Sequence, residues 1–409
     1  MNKLFLTEQF NDSISGVAYK SIHQKKRLLA YFAEHGPSAI GDLRRALHLS
    51  VPKVTALLNE LMEEQFVKDY GKDNSTGGRP PNLYDLAAES AYFLGVDVHR
   101  TFVNIALTDF QKNIVKIKEQ VPYTLSNTQE SLDALCLLIK SFMKELGQSR
   151  EKILGIGVNL TGRVNSATGF SYSFFHFEEQ PLSEVLKDKL GIQVVLENDS
   201  RAMAYGEFAA GVVEQERNVL FLNLDYGIGM GMVLDGQLYY GKSGYSGEVG
   251  HMPVFDNNII CQCGKKGCLE TEASGWALEE RFKTRVRNGA TTQLVQNQEH
   301  LKTIDLEAII QVAESDDVLA IELIAEIGEQ LGRGIAALIN VFNPELVVLG
   351  GSLAATGDYI RLPLLSALNK YSLSLVSNDT ALKVSNLGNR AGVLGACLLV
   401  QHRFLATKA

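Results

Sequence analysis

Residues 247–270 of this chain read GEVGHMPVFDNNIICQCGKKGCLE, the densest chemical pattern in the sequence. The stretch supplies one imidazole, His251, and three thiols, Cys261, Cys263 and Cys268. This set is enough for a closed tetrahedral zinc site, and the interleaved glycines let the chain fold tightly around an ion. With all four positions filled by protein, no coordination site is left for an activated water. We therefore predict one structural Zn²⁺ per chain, the alternative being a chance group of reduced cysteines.

Two glutamates flank this cluster. Glu248 lies three residues before His251, and Glu270 lies two residues after Cys268. An ion in the cluster would hold the two carboxylates near each other, and ionised carboxylates accept hydrogen bonds from sugar hydroxyls. The alternative is that either glutamate is a solvated surface charge.

On the amino-terminal side of the cluster, two segments of the sequence have a similar pattern of predicted strands. Three strands are predicted over 92–98, 102–109 and 114–123, before a helix near 128–147. A similar start recurs at the segments 218–225, 231–234 and 237–240. This indicates a duplicated α/β unit, and two such units typically bind ligands in the cleft where they face each other.

Polar residues follow two further predicted strands. Glu197-Asn198-Asp199 comes after the apolar run 194–196 and before a helical stretch, and Gly162-Arg163 comes after the strand 153–160. Ligands of α/β sheets bind at the carboxyl ends of strands. An Asn-Asp pair is also a common helix cap, so this signal is weak alone.

The amino-terminal segment has the apolar pattern of helices and not of strands. Helices are predicted over 20–35, from Ser38 to Leu47, and after Ser50, with Ser38 and Ser50 as caps. The third helix would turn Pro52, Lys53, Thr55 and Asn59 outward, as in a helix-turn-helix. A three-helix bundle used for protein contacts is the alternative.

A hairpin completes this head. The predicted strands 66–70 and 82–86 flank a glycine-rich tip that contains Gly77, Gly78 and Arg79. An arginine on a thin tip can enter a narrow minor groove, so the pattern predicts a winged helix. The tip could otherwise be an interdomain linker.

The 409-residue chain carries a net charge of −8, which taken whole argues against nucleic acid as a partner. The charge is uneven, however. Residues 1–86 hold 11 basic against 10 acidic side chains, and the remainder holds 28 against 37. A near-neutral, locally basic head on an acidic body is compatible with DNA binding, because phosphate contacts need local cations.

The sequence also gives an expectation for the cellular location of the protein. Its apolar runs are shorter than a bilayer span, and its first residues do not resemble a secretory signal. Five cysteines without an export signal indicate reduced thiols. We expect a cytoplasmic protein with no membrane segment.

The motif at 247–251, the Cys-x-Cys-Gly-x-x-Gly-Cys-x-Glu run at 261–270 and the head ending in Gly77-Gly78-Arg79-Pro80 resemble the ROK family of repressors and sugar kinases. The resemblance implies a winged helix over 1–86, a first lobe over 87–210 completed by a C-terminal helix at 390–409, and a second lobe over 211–389 with the zinc knuckle and a dimer surface. The body would be a two-lobed, actin-like (ribonuclease H-like) α/β fold with sugar between the lobes. The implied sugar contacts are Gly162, Arg163, Asn198, Asp199, Glu248, His251 and Glu270.

In the kinases of this family, the aspartate matching Asp199 is the catalytic base, which here would be vestigial. The phosphate-binding Asp-x-Gly-Gly-Thr turn is replaced by residues 97–101, with His99 and Arg100 in place of the glycines. In the second phosphate loop, Asp225 and Tyr226 precede Gly227. Bulky and acidic residues oppose the close approach of a phosphate to backbone amides. We therefore expect no kinase activity.

Together these features predict a sugar-responsive repressor of carbohydrate genes that binds operator DNA as a dimer or tetramer. A sugar or sugar phosphate would release it. The alternatives are an ATP-dependent sugar kinase with an added head, control by a protein partner, and an activator instead of a repressor.

Overall fold

A computed structural model describes residues 17–72, 81–177, 179–294, 301 and 303–406. The head opens with three helices, α1 (Val17–His35), α2 (Ile40–Leu47) and α3 (Val51–Glu63). A three-stranded antiparallel sheet completes it, in the order β1-β3-β2, from β1 (Ser38–Ala39), β2 (Val67–Lys72) and β3 (Asn82–Leu86). Three helices followed by a hairpin are the winged helix that the sequence predicts.

The two predicted caps are not made. Ser38 pairs with Tyr84 in the sheet, and its hydroxyl donates to the Gly36 carbonyl, so strand pairing takes the residue out of the capping position. Ser50 occupies the N-cap of α3, yet its side chain accepts no capping hydrogen bond. The helix instead has Pro52 in its first turn, where a missing N–H costs nothing.

The body contains two five-stranded sheets with the same topology. The first has the order β10-β7-β4-β5-β6 and consists of β4 (Tyr92–Val98), β5 (Phe102–Asp109), β6 (Ile114–Pro122), β7 (Ile153–Leu160) and β10 (Val194–Asn198). The second has the order β13-β12-β11-β14-β15 and consists of β11 (Val219–Leu224), β12 (Ile228–Leu234), β13 (Gln237–Leu238), β14 (Leu346–Gly350) and β15 (Ala381–Val384). In each sheet, the first three strands in chain order pair antiparallel. The fourth strand pairs parallel with the first, and the fifth pairs parallel with the fourth. The predicted duplication is therefore confirmed, and each sheet is ribonuclease H-like. A separate hairpin pairs β8 (Val164–Asn165) with β9 (Phe170–Ser171).

Helices cover both sheets. Two helices lie between strands of the first sheet in sequence, α4 (Gln129–Lys144) and α5 (Leu182–Leu190). The remaining helices are α6 (Asp199–Ala210), α7 (Glu270–Ala273), α8 (Gly275–Arg287), α9 (Leu306–Ala313), α10 (Val318–Phe342), α11 (Asp358–Tyr371), α12 (Ser374–Ser377) and α13 (Ala391–Leu405). In the part of the chain that the structure describes, no helix is long and apolar enough to cross a bilayer.

The chain divides into two compact units. The first ends at Asn198 and resumes at Ala396, and the second spans Asp199–Gly395. The polypeptide thus passes between units twice, once where β10 meets α6 and once inside α13. The domain limits at residues 86 and 210 stay predictions.

Within the first unit, the head and the sheet share one hydrophobic core. This cluster includes Leu28, Leu57 and Phe66 from the head, Phe93 and Phe110 from the sheet region, and Phe404 from α13. Each of these side chains is at most 1% exposed. The head is consequently packed onto its unit and not carried on a free linker.

Candidate functional site

The four predicted metal ligands lie together in the second unit, with every pair of ligand atoms within 4.8 Å. The Cys261 Sγ is 3.5 Å from His251 Nδ1, and the Cys263 Sγ is 3.7 Å from the Cys268 Sγ. A tetrahedral ion with Zn–S of about 2.3 Å and Zn–N of about 2.0 Å would set neighbouring ligand atoms about 3.5 to 3.8 Å apart. The cluster therefore has the composition and spacing to hold a tetrahedral metal ion.

Local backbone geometry presents these side chains. A 3₁₀ turn over Val249–His251 carries the histidine. Short antiparallel bridges, Pro253 with Cys268 and Ile260 with Lys266, close the cysteine loop. Gly267 has a φ of +73° and lies against the Phe255 carbonyl, so a side chain at that position would meet backbone. The sequence needs its glycine there for the loop to close.

Protons on two thiols of the cluster link metal binding to pH. Burial raises the pKa of the Cys261 thiol to about 12, and burial also raises the pKa of the Cys268 thiol. Metal ligation requires thiolates, so a bound cation would have to displace these protons. Metal binding should therefore weaken as the solution becomes more acidic.

The two predicted sugar-binding carboxylates border the cluster. The Glu248 Oε2 lies 3.7 Å from His251 Nε2, the ring nitrogen opposite the one that faces Cys261. The Glu270 Oε1 lies 3.7 Å from the Cys261 Sγ, and its Oε2 accepts the Ile228 N–H at 3.2 Å. Each carboxylate therefore lies beside one predicted metal ligand, Glu248 beside His251 and Glu270 beside Cys261. Their contact with a sugar stays a prediction.

Asp199 opens α6 in the same unit. Its Oδ1 accepts the Ser200 N–H at 2.7 Å and the Ser200 hydroxyl at 3.2 Å. These local bonds fix the carboxylate at the start of the helix, where the helix dipole favours a negative charge.

The other predicted sugar residues belong to the first unit. The Asn198 Nδ2 donates to the Gly162 carbonyl at 3.0 Å, so the ends of β7 and β10 are tied together. Arg163 is exposed, and its backbone N–H donates to the Ser173 hydroxyl at 3.0 Å. Gly162 has a φ of +88° and lies against the Ser173 side chain, which explains the glycine.

One residue beside this site was not predicted as functional. The Glu197 carboxylate is 2% exposed and accepts hydrogen bonds from the Ser166 hydroxyl at 2.7 Å and the Asn198 N–H at 2.9 Å. Arg403 of α13 lies 3.4 Å from its other oxygen. A charged residue inside an apolar strand is a signal that could have singled out Glu197, whereas nothing in the sequence marks Arg403.

In the head, Pro52 and Asn59 are exposed on α3, and Lys53 and Thr55 are half-buried. Val54, Leu57, Leu58 and Leu61 form the buried side of the helix, as predicted. Gly77, Gly78 and Arg79 lie outside the described residues. The exposed cations of α2 and of the wing strands are Arg44, Arg45, Lys68 and Lys72.

Local side-chain contacts occupy the two turns predicted from the sequence to match the phosphate loops of the family's kinases. The His99 Nε2 lies 2.9 Å from the buried Asp97 carboxylate, and its ring stacks on Phe102. The Asp225 Oδ1 accepts the Tyr226 N–H at 2.9 Å and the Ser352 hydroxyl at 3.2 Å. Each turn therefore carries internal contacts of its own.

The chain has a winged helix, a duplicated ribonuclease H-like body and a Cys₃His cluster. This combination places it in the class of actin-like proteins with an amino-terminal DNA-binding fold. Residues 93–403 match the ROK family. The chain belongs to the ROK family.

The relatives differ in how much of this chain they cover. The xylose repressor of Bacillus subtilis (strain 168) is 29% identical over 388 residues, covering 94% of this chain and 96% of the relative. The crystal structure of a ROK family transcriptional regulator, a homologue of the Escherichia coli Mlc protein, is 26% identical with a TM-score of 0.79, covering 94% of this chain and 97% of that one. A Streptomyces griseus ROK glucokinase, crystallised with glucose and AMPPNP, is 26% identical with a TM-score of 0.67, and covers only 76% of this chain and 99% of its own.

Proposed function

We propose that this protein is a sugar-responsive transcriptional repressor that binds operator DNA as a dimer and releases it when a sugar binds. One observation carries the proposal: similarity to the repressors runs through the head, whereas the glucokinase corresponds to about three quarters of the chain. A winged helix packed onto a ROK body is the arrangement that such a regulator needs.

On the DNA side, the exposed positions of α3 would face the major groove. Asn59 offers an amide that can bond an adenine edge, and Arg44, Lys68 and Lys72 offer charges for phosphates. Arg79 would enter the minor groove from the tip of the wing. Two heads in a dimer would read half-sites separated by whole helical turns.

On the sugar side, we propose the contacts that the sequence predicts. Gly162, Arg163 and Asn198 come from the first unit, and Asp199, Glu248 and Glu270 come from the second. Carboxylates and amides are suited to the paired donors and acceptors of sugar hydroxyls. A sugar that binds these residues more tightly in one conformation of the protein would shift the population toward that conformation.

For the metal we propose Zn²⁺, held by His251, Cys261, Cys263 and Cys268. Three thiolates and one imidazole at tetrahedral spacing are typical of structural zinc and leave no open position. The ion would have no part in chemistry; it would keep Glu248 and Glu270 in place through the residues they contact.

We propose that kinase activity is lost. Asp225 presents a carboxylate to the backbone amide that a phosphate would need, and the Asp97–His99 pair fills the other turn. Transfer of a phosphoryl group depends on positioning and charge neutralisation, and both are opposed here.

The experiment selects DNA from a randomised duplex pool with the full chain, then measures affinity for the selected duplex while D-xylose, D-glucose or N-acetyl-D-glucosamine is added. We expect one selected sequence and weaker binding with one sugar. Selection of no sequence would contradict DNA recognition.

The second candidate is a sugar kinase, favoured by the similarity to the glucokinase. A coupled assay for ATP turnover over the same sugars decides between the two. Turnover that Asp199→Asn abolishes would establish the kinase and overturn the repressor proposal.

A further inference from the structure

The buried carboxylate of Glu197 joins both predicted sugar-binding loops of the first unit. Its Oε1 accepts the Asn198 N–H at 2.9 Å and the Ser166 hydroxyl at 2.7 Å. Ser166 follows β8 by one residue, shortly after Gly162 and Arg163, and Asn198 itself donates to Gly162. A displacement of either loop therefore acts on one carboxylate.

The counter-charge of this carboxylate comes from the far end of the chain. The Arg403 Nη2 lies 3.4 Å from Glu197 Oε2, and its Nη1 donates to the Ser166 carbonyl at 3.0 Å. Arg403 thus contacts both the strand and the loop. A charge-assisted bond typically measures about 2.7–2.9 Å, so the ion pair has room to shorten when the loops close on a ligand.

The neighbours of Arg403 on α13 contact the core beneath the DNA-binding helices. Phe404 is 1% exposed, and its ring centroid lies 6.2 Å from that of Phe93. The Gln401 side chain donates to the Phe110 carbonyl at 2.8 Å. Gly155 of β7 leaves the space that the Phe404 ring fills, because a Cβ there would meet that ring.

From Phe404, a row of phenylalanines leads to α3. Ring centroids are 5.9 Å apart between Phe93 and Phe110 and 6.2 Å apart between Phe110 and Phe66. The Phe66 N–H donates to the Leu61 carbonyl, near the end of α3, at 2.9 Å. Tightly packed cores pass on small shifts because they cannot absorb them locally.

We propose that Arg403 is a positioning residue that transmits the sugar-bound state of the Gly162 and Asn198 loops to the DNA-binding helices. Loop closure draws the Glu197 carboxylate, the ion pair moves α13, and Phe404 shifts the row of rings that supports α3. This inference rests on the proposed function and adds its route within the first unit.

The test uses Arg403→Gln, Arg403→Lys and Glu197→Gln in the full chain. Glu197→Gln keeps an oxygen for Ser166 and Asn198 but removes the charge that Arg403 faces. Arg361→Gln is the matched control, because Arg361 makes an exposed pair with Asp358 at 2.7 Å in the second unit. The duplex comes from the randomised pool, and the probes are D-xylose, D-glucose and N-acetyl-D-glucosamine.

Three quantities are measured for each variant: the Kd for DNA without sugar, the Kd for sugar without DNA, and the ratio of the DNA Kd values with and without saturating sugar. For the wild type and Arg361→Gln, we expect a ratio of about fivefold or more. For Arg403→Gln and Glu197→Gln, we expect the ratio to fall to within about twofold of one, with both separate Kd values within about threefold of wild type. Arg403→Lys keeps the charge, so its ratio of DNA Kd values should lie between those of Arg403→Gln and the wild type.

A wild-type ratio in Arg403→Gln and Glu197→Gln would overturn the inference and leave the pair a structural one. A loss of both separate affinities in step with thermal stability would overturn it too. If Arg403→Gln does not fold, Glu197→Gln decides. If no sugar changes the DNA affinity of the wild type, the proposed function itself fails, and the inference falls with it.

Discussion

At the scale of single residues, His251 and Cys261 join two parts of the second unit. Each is a predicted metal ligand, and each contacts one predicted sugar-binding carboxylate, Glu248 or Glu270. A cation that fixes the ligands consequently also limits the motion of the carboxylates. Structural metal sites supply folding energy in this way without entering any reaction.

Replacing Cys263 with alanine should therefore remove the metal and the sugar response together. Three ligands bind zinc far more weakly than four, and the loosened loop would no longer place Glu248 and Glu270. Metal content by elemental analysis should fall from about one ion per chain to well below it. Sugar binding by calorimetry should weaken in parallel.

Cys136→Ala is the matched control, because Cys136 is a buried cysteine of α4 in the first unit. It should keep both the metal and the sugar response. A wild-type preparation that is folded and metal-free would contradict the role given to the cluster.

At the scale of elements, the head shows what sequence patterns can and cannot predict. The apolar stripe of α3 and both wing strands follow from periodicity, which depends on near neighbours in the chain. Ser50 does occupy the N-cap of α3, but its side chain makes no capping hydrogen bond. The cap at Ser38 was wrong, because pairing with Tyr84, a residue distant in sequence, decides the role of Ser38. Local signals do not reveal such competition.

For the wing, Arg79→Ala should weaken DNA binding and reduce the dependence of log K on log salt by about one charge. The preference for a narrow minor groove should relax, while sugar affinity stays the same. Fluorescence anisotropy over a salt series measures the slope. Arg150→Ala, at an exposed position of the body, should leave the slope unchanged; equal slopes for the wild type and Arg79→Ala would argue against a wing contact.

For α13, Phe404→Ala should lower the free energy of unfolding by about 3–5 kcal/mol, because it empties a fully packed position. Urea titration followed by fluorescence measures this loss. Leu137→Ala, at a side chain that is 69% exposed, should cost far less. Similar losses for both variants would mean that the shared core is not packed as the structure has it.

At the scale of the whole molecule, the distribution of charge matters more than its sum. The net charge of −8 combines a near-neutral head with an acidic body, and the head has exposed cations on α2 and β2. Local cations can bind phosphates, while the negative charge of the body opposes non-specific binding to DNA.

The duplication of the body could be read from sequence because each sheet begins with three consecutive strands. The metal cluster could be read because its ligands are close along the chain. The pairing of Glu197 with Arg403 could not, because these residues are 206 positions apart and no motif joins them. The division between Asn198 and Asp199 was also hidden, since the two residues are adjacent in one motif but belong to different units.

The most direct measurement of the central claim is the affinity for sugar with and without the selected duplex, by calorimetry on the full chain. Coupling between two ligands is reciprocal, so a sugar that weakens DNA binding must itself bind more weakly to the DNA-bound protein by the same factor. We expect the sugar Kd to rise by about fivefold or more when the duplex is present. An equal Kd in both states would contradict sugar-controlled release of DNA.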